Sequence, residues 1–250
     1  MSYRRCAQLA AWGSAWLAGS VSFDDVLEAV ILDARHRPGV GFSAGTPSPV
    51  GAVLADWKQA GTRTLRVVLP RPGDVRGLAG PLAFREAALA AGEAVYGERF
   101  AVTIEVGPET PSSAGREVYW HRADVEEPML DVISLADAEH DLTEAIRNTA
   151  SLFAQRGATS WLSDIAPALS DARRAGERLN LPASHPPRGV RLVAQAERLS
   201  AVLAVVDADQ TGEVTAGAMA DRSTALAPLR IAVRRALLAG YNAAAEVAAG

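Results

Sequence analysis

Every run in this chain that reads as a β-strand lies before residue 121, and from Ser134 onward the apolar side chains recur only at helical spacing. One pattern cannot serve both structures, because a strand alternates its faces every two residues and a helix returns every three to four. The change of period divides the chain near Asp124 to Asp131. It predicts an α/β domain over 1–125 and a helical bundle domain over 130–250, an α+β protein in all. At 250 residues, 49% hydrophobic and 22% charged, the chain has enough apolar side chains to form its cores without disulfides or a structural metal.

In the first half the predicted order is helix, helix, a short strand around Val40, helix, strand, helix, strand, strand. Arg4 and Arg5 before an apolar stretch have the charge order of a signal peptide. Gln8, Trp12, Gly13, Ser14 and Trp16 interrupt that stretch, and Cys6, Leu9, Trp12, Gly13, Trp16 and Leu17 share one helical face, so an amphipathic helix is the better reading. Ser22 and Asp25 form a capping box for the next helix, and Ser48 with Pro49 opens a third. Thr64 to Leu69, β-branched and apolar between turn signals, is the best strand. Pro81 opens a helix whose larger apolar residues are Leu82, Phe84, Leu89 and Val95. Val102, Ile104 and Val106, then Val118 and Trp120, alternate as two closing strands, giving a small mixed sheet with helices packed on it.

In the second half, Ser134 and Asp137 make another capping box. Leu135, Ala138, Leu142, Ala145, Ile146, Thr149, Leu152 and Phe153 form a long stripe behind it. Ile165, Leu169, Ala172 and Leu179 mark a second helix. Leu192, Val193, Ala196, Leu199, Leu203 and Val206 mark a third, and Leu229, Val233, Ala236, Leu237, Gly240 and Tyr241 a fourth. Short connections between amphipathic helices point to an antiparallel four-helix bundle.

Several motifs fail for want of context. Gly41-Phe42-Ser43-Ala44-Gly45 has the spacing of a hydrolase nucleophile elbow, but no buried central strand precedes it. The surrounding glycines lack the lysine of a phosphate-binding loop. Asp207-Ala-Asp209-Gln-Thr211-Gly212 begins like a calcium loop, yet the twelfth position, where a bidentate glutamate belongs, is Ala218. Asp137, His140, Asp141 and Glu144 share a helix face opposite the apolar stripe, where solvated acids near an N-terminus are expected. The four histidines show no ligand or triad spacing, and Lys58, the sole lysine, suits a helix C-terminus. One cysteine excludes an internal disulfide, a thiol-ligated zinc site would need more, and a reducing cytoplasm is the simplest compartment. A net charge of −4 argues against nucleic-acid and membrane-surface partners. No catalytic residue, metal or cofactor is expected.

The segment most worth following is the loop from Pro70 to Gly80. It leaves the best strand and enters a helix N-terminus, where free N–H groups favour anions. Arg71, Gly73, Asp74, Arg76 and Gly80 are its candidate ligand-binding residues for a phosphate or carboxylate. Alternatively it is a structural connection whose arginine and aspartate pair at the surface.

The Leu-Pro-Arg-Pro-Gly-Asp run at 69–74 and the Pro-Pro-Arg-Gly-Val-Arg-Leu-Val-Ala-Gln-Ala-Glu-Arg-Leu run at 186–199, with 24 arginines against one lysine, resemble a family of uncharacterised actinobacterial proteins. The resemblance extends over most of the chain. It implies a cytoplasmic bacterial protein and no particular activity. The first functional expectation is a non-catalytic interaction protein, docking a protein partner or a second copy, with Trp12 and Trp16 as candidate anchors. The second is an α/β enzyme or sensor for a small anionic metabolite at the 70–80 loop.

Overall fold

A computed structural model describes residues 4–31, 34–43, 46, 48–108, 116–125, 133–155, 179–208 and 216–247. The chain falls into two compact units. One gathers Ser2–Val132 with Asn180–Pro186 and Tyr241–Gly250, the other Ile133–Leu179 with Pro187–Gly240. The protein is mixed α+β, with a five-stranded mixed sheet and seven helices among the described residues.

The first unit contains α1 (Arg5–Leu17), α2 (Phe23–Ile31), β1 (Ala34–Pro38), α3 (Pro49–Gln59), β2 (Arg66–Val68), α4 (Leu82–Ala91), β3 (Ala94–Tyr96), β4 (Phe100–Val106) and β5 (Arg116–Asp124). The strands lie in the order β1-β5-β4-β3-β2. β1 runs parallel to β5, and the other neighbours are antiparallel.

Two strands depart from the expected pattern. The early strand is at Ala34–Pro38 rather than around Val40, and its sequence, Ala-Arg-His-Arg-Pro, has no apolar alternation to announce it. As an edge strand it needs little. Gly39 N–H donates to the Trp120 carbonyl at 2.8 Å, so alternation turns the nitrogen of Pro38 away from β5, where a missing donor costs no ladder bond. Val95 belongs to β3 and not to the preceding helix, which Gly92 ends at a φ of 73° that a residue with a Cβ resists.

Alternation assigns the faces. Val67, Val95, Val102, Ile104, Val118 and Trp120 share one face and are buried. Trp57 of α3 anchors there, its ring stacked on Phe100 at 4.9 Å and its indole N–H donating to the Phe100 carbonyl at 3.3 Å. On the other face Val68, Ala94, Tyr96, Ala101 and Val125 pack with Phe84 and Ala88 of α4. Further along that face the residues turn polar. Arg37 and Tyr119 both bond Glu117, at 3.4 and 2.6 Å, and the tyrosine and arginine together hold the Glu117 carboxyl below its ordinary range.

The expected caps are present. Ser22 and Asp25 exchange bonds of 2.8 and 3.1 Å, and the Ser48 hydroxyl accepts from Gly51 N–H with Pro49 behind it. Helix α1 is more enclosed than an amphipathic helix, with ten of its thirteen residues buried. Its alanines permit that close approach. Trp12 and Trp16 are half-buried and engaged. Trp12 donates to the Asn180 carbonyl at 3.0 Å, while Trp16 meets Phe23 edge-on and lies 4.6 Å beneath the Lys58 ammonium.

The second unit holds α5 (Leu135–Gln155), α6 (Pro187–Ala208) and most of α7 (Ala216–Val247). Ala138, Leu142 and Ala145, then Leu192, Val193, Ala196, Leu203 and Val206, then Leu229, Val233, Ala236 and Leu237, are buried as their spacing requires. Leu152, placed on the stripe by its period, is exposed. Arg188 clasps Glu139 with bonds of 2.7–3.0 Å, and Arg235 pairs with Asp141 at 3.2 Å. The helix expected from Ile165 to Leu179 lies almost wholly outside the described residues. Among the described residues no helix is long and apolar enough to cross a membrane.

Candidate functional site

The 70–80 loop is built from two turns. Arg71 and Asp74 exchange backbone bonds of 3.0 and 2.9 Å across Pro72 and Gly73, with Gly73 at a φ of 83°. Proline second and a positive-φ glycine third is the pattern of a type II turn. A second turn follows, in which Leu78 N–H donates to the Val75 carbonyl at 3.1 Å. The far end is clamped from below, because the Tyr96 hydroxyl donates to the Ala79 carbonyl and accepts from its N–H, both at 2.9 Å. Burial pushes the Tyr96 phenol up to about 12, so it stays a donor. Gly80 has a φ of 112°, and a Cβ there would stand 3.0 Å from Val125 and 3.2 Å from Phe84.

The candidate ligand residues are therefore divided. Arg71, Gly73 and Asp74 shape the first turn. The Arg76 guanidinium reaches back to Asp74 in a bidentate pair of 2.9 Å bonds, with 49% of the arginine side chain and 14% of the aspartate exposed. Gly80 sits at the opposite end, against Val125 and the ring of Phe84. β2, from which the loop departs, is an edge strand with an antiparallel neighbour. The crevice between parallel strands that accepts ligands in doubly wound sheets is thus not its setting. Between and beyond the turns, Val75 and Leu82 stand 52% and 62% exposed.

Elsewhere several titratable groups are engaged with other side chains or with backbone. His121 Nδ1 accepts from Val40 N–H at 3.1 Å while Nε2 faces Glu105 at 3.0 Å. His36 Nδ1 accepts from the Trp120 indole at 2.8 Å. Arg122 lies over the Phe100 ring at 3.7 Å and pairs with Asp56. The segment that carries the elbow-like spacing runs along β5 through the Gly39–Trp120 and Arg122–Val40 bonds; Ala44 and Gly45 lie outside the described residues. On α5, Asp137 caps with Ser134, Asp141 is paired with Arg235, and His140 and Glu144 are exposed. Asp207 pairs with Arg230, and 209–215 of the calcium-like sequence are outside the described residues. Among the described residues no three His, Cys, Asp or Glu side chains are grouped to hold a metal ion.

Sequence reasoning missed one charged group altogether. Glu93, between Gly92 and β3, is buried and aims its carboxylate at the N-terminus of α1, accepting from Cys6 N–H at 3.1 Å and Ala7 N–H at 3.4 Å. It supplies from across the fold the cap that Arg4, at the N-cap position, does not. Burial pushes its pKa up to about 7, against the pull of Arg4 and the helix N–H groups. The same burial, with Glu93 beside it, raises the Cys6 thiol, so this cysteine is a neutral core residue rather than a nucleophile. The available signal was a lone charge inside the apolar run Ala90 to Tyr96.

Two family models match the chain in succession, described as Rv1486c-like protein, N-terminal domain, over residues 6–133, and Rv1486c-like protein, C-terminal domain, over residues 136–238. Uncharacterized protein Rv1486c of Mycobacterium tuberculosis is 30% identical, covering 94% of this chain and 95% of the relative. Uncharacterized protein ML1804 of Mycobacterium leprae is 27% identical over the same shares. Uncharacterized protein MAV321 of Mycobacterium avium is 29% identical over 79% of this chain and 77% of the relative. No solved structure matches. Both domain models fit in order, and the similarity to the mycobacterial proteins runs nearly end to end, so the chain belongs to the Rv1486c-like protein family.

Proposed function

We propose that this chain is a non-catalytic interaction protein that docks a protein partner, or a second copy, through the junction between the 70–80 loop and α4. The observation that carries the reading is the exposure of Val75 and Leu82 at that junction. Large apolar side chains left in water beside arginines and an aspartate have the make-up of an interface centre with a polar rim. The bidentate Asp74–Arg76 pair suits a rim, since its charges already satisfy one another. Trp12 and Trp16 are occupied within the fold and pass the anchoring role to this junction. A photo-crosslinking residue at position 82, with position 152 as exposed control, tests it in the native host. A discrete adduct from 82 that Val75→Ser abolishes supports the reading, and equal yields from 82 and 152 defeat it.

A second reading, a sensor or enzyme for a small anionic metabolite, draws on the N-terminus of α4, where Pro81 provides no side-chain cap for the first N–H groups. A thermal-shift screen with phosphorylated metabolites separates the two. At a hundred times its dissociation constant a ligand stabilises by about 2.7 kcal/mol, and a hit lost in Arg76→Ala favours this reading. For the architecture we propose that residues 165–179 complete an antiparallel four-helix bundle and that the domain division lies at 125–130, the latter supported by the matched spans 6–133 and 136–238. The single, buried thiol fits a reducing, cytoplasmic compartment.

A further inference from the structure

The parallel pairing of β1 with β5 does not stop at Pro38. Gly39 N–H donates to the Trp120 carbonyl and Arg122 N–H to the Val40 carbonyl, both at 2.8 Å. So close an approach needs glycine. A Cβ at Gly39 would stand 2.7 Å from both the Trp120 carbonyl oxygen and His121 Nδ1, and one at Gly41, whose φ is 85°, would run into the Arg122 carbonyl. One bond of this extension goes to a side chain. Val40 N–H donates to His121 Nδ1 at 3.1 Å. An imidazole nitrogen accepts only when it carries no proton, so the ring is neutral and its one proton sits on Nε2, which donates to Glu105 at 3.0 Å. A second proton has a single place to go, Nδ1, where it sets an N–H against the N–H of Val40.

We propose that His121 is a proton-operated latch: as a neutral ring it holds the 39–43 segment on β5, and as an imidazolium it lets Val40 go. Histidine is the side chain whose charge ordinarily changes between pH 5 and 8. With 15% of its side chain exposed, the ring exchanges protons with water. The groups around it do not relieve the conflict at Nδ1. Glu105 of β4 attracts the imidazolium through Nε2 and helps the second proton arrive. Glu117, on the same face of β5, is held below the ordinary carboxylate range by Tyr119 and Arg37 and stays charged in this window, while Tyr119, raised by Glu117, stays neutral. Arg37 of β1 is engaged with Glu117, and Arg35 is exposed. Arg122 lies on the opposite face with Asp56. α4 brings Phe84 and Ala88 to the neighbouring part of the sheet and leaves Arg85 and Glu86 exposed. The latch is separate from the junction at Val75 and Leu82, so either proposal stands without the other.

The test uses the full chain and NMR between pH 7.5 and 5. At pH 7.5 the ring nitrogens of His121 are expected to show a proton on Nε2 and none on Nδ1, and the reverse tautomer overturns the proposal. As the ring titrates, protection of the Val40 amide, measured against an unstructured peptide at the same pH, is expected to fall about tenfold or more at the ring's own midpoint. The Val102 amide, in the centre of the sheet, keeps its protection. Val40 protection that survives protonation of the ring overturns the proposal. His121→Asn puts an amide oxygen where Nδ1 stood, an acceptor that takes no proton in this range, and is expected to hold Val40 throughout; a fall that persists in this variant overturns the latch. Glu105→Gln keeps the latch and removes the anion that favours the imidazolium, so the midpoints of the ring and of the release move together to lower pH. A release that stays in place while the ring's midpoint moves overturns the proposal as well.

Discussion

Asp74 and Glu93 are both carboxylates of the sheet unit, and both accept hydrogen bonds from N–H groups, yet their surroundings differ in kind. Asp74 lies near the surface and answers the flexible guanidinium of Arg76 two residues away. Glu93 lies in the core and answers the backbone of α1, more than eighty residues distant in sequence. Water can replace the partner of the first and not that of the second. The pair teaches that the number of bonds a carboxylate makes says little about its worth until the alternative partner is known.

Four substitutions sharpen the contrast. The largest effect belongs to Glu93→Ala, which leaves the first N–H groups of α1 unanswered in the core and is expected to cost about 3 kcal/mol or more by urea denaturation at pH 5. Glu93→Gln keeps an acceptor and removes the titration. Because the folded pKa of Glu93 is raised from 4.5 to about 7, its contribution is fully present below pH 4.5 and is lost as pH rises through 7. Wild type therefore loses roughly 3 kcal/mol across that window from this group, whereas the glutamine variant gives a flatter profile; parallel profiles would remove Glu93 as the cause. Gly80→Ala, forced to a φ of 112° against Val125 and Phe84, is expected to cost about 2 kcal/mol by thermal denaturation. Asp74→Ala should cost less than about 1 kcal/mol, shrinking further in high salt. A loss from Asp74→Ala as large as that from Glu93→Ala would erase the distinction between the two sites.

Legibility in the sequence followed the same division. Local signals held. The Ser22–Asp25 box, the Ser48–Pro49 start and the buried positions of α6 and α7 each depend on residues a turn or two apart, and each is where its spacing places it. β1 lies earlier than its expected place and β3 falls where a helix is expected, because five or three residues of strand carry too little alternation to outvote their neighbours. At the 70–80 loop the turn residues were legible, since Pro72-Gly73 is a local instruction. The alternative in which an arginine and the aspartate of the loop pair is what Arg76 and Asp74 do, whereas the clamp of Tyr96 on Ala79 from seventeen residues away depends on where β3 comes to rest. Glu93 was out of reach for the same reason, and so was Asn242, whose carboxamide meets both the N–H and the carbonyl of Val67. Each is a single polar residue in an apolar stretch, and its partner is set by the fold.

The cysteine beside Glu93 gives the molecule a built-in clock. Cys6 is the sole thiol of the chain, is fully buried and is held neutral by its surroundings. A thiol reagent can reach it only when α1 leaves the sheet, so labelling by a chromogenic disulfide proceeds at the pace of that opening and produces one adduct per chain. Raising the pH from 5 to 8 ionises Glu93 beneath the helix, and the labelling half-life should shorten by more than the ordinary ionisation of an exposed thiol accounts for. Without a label engineered in or a residue removed, the native chain thus reports how often its first helix lets go.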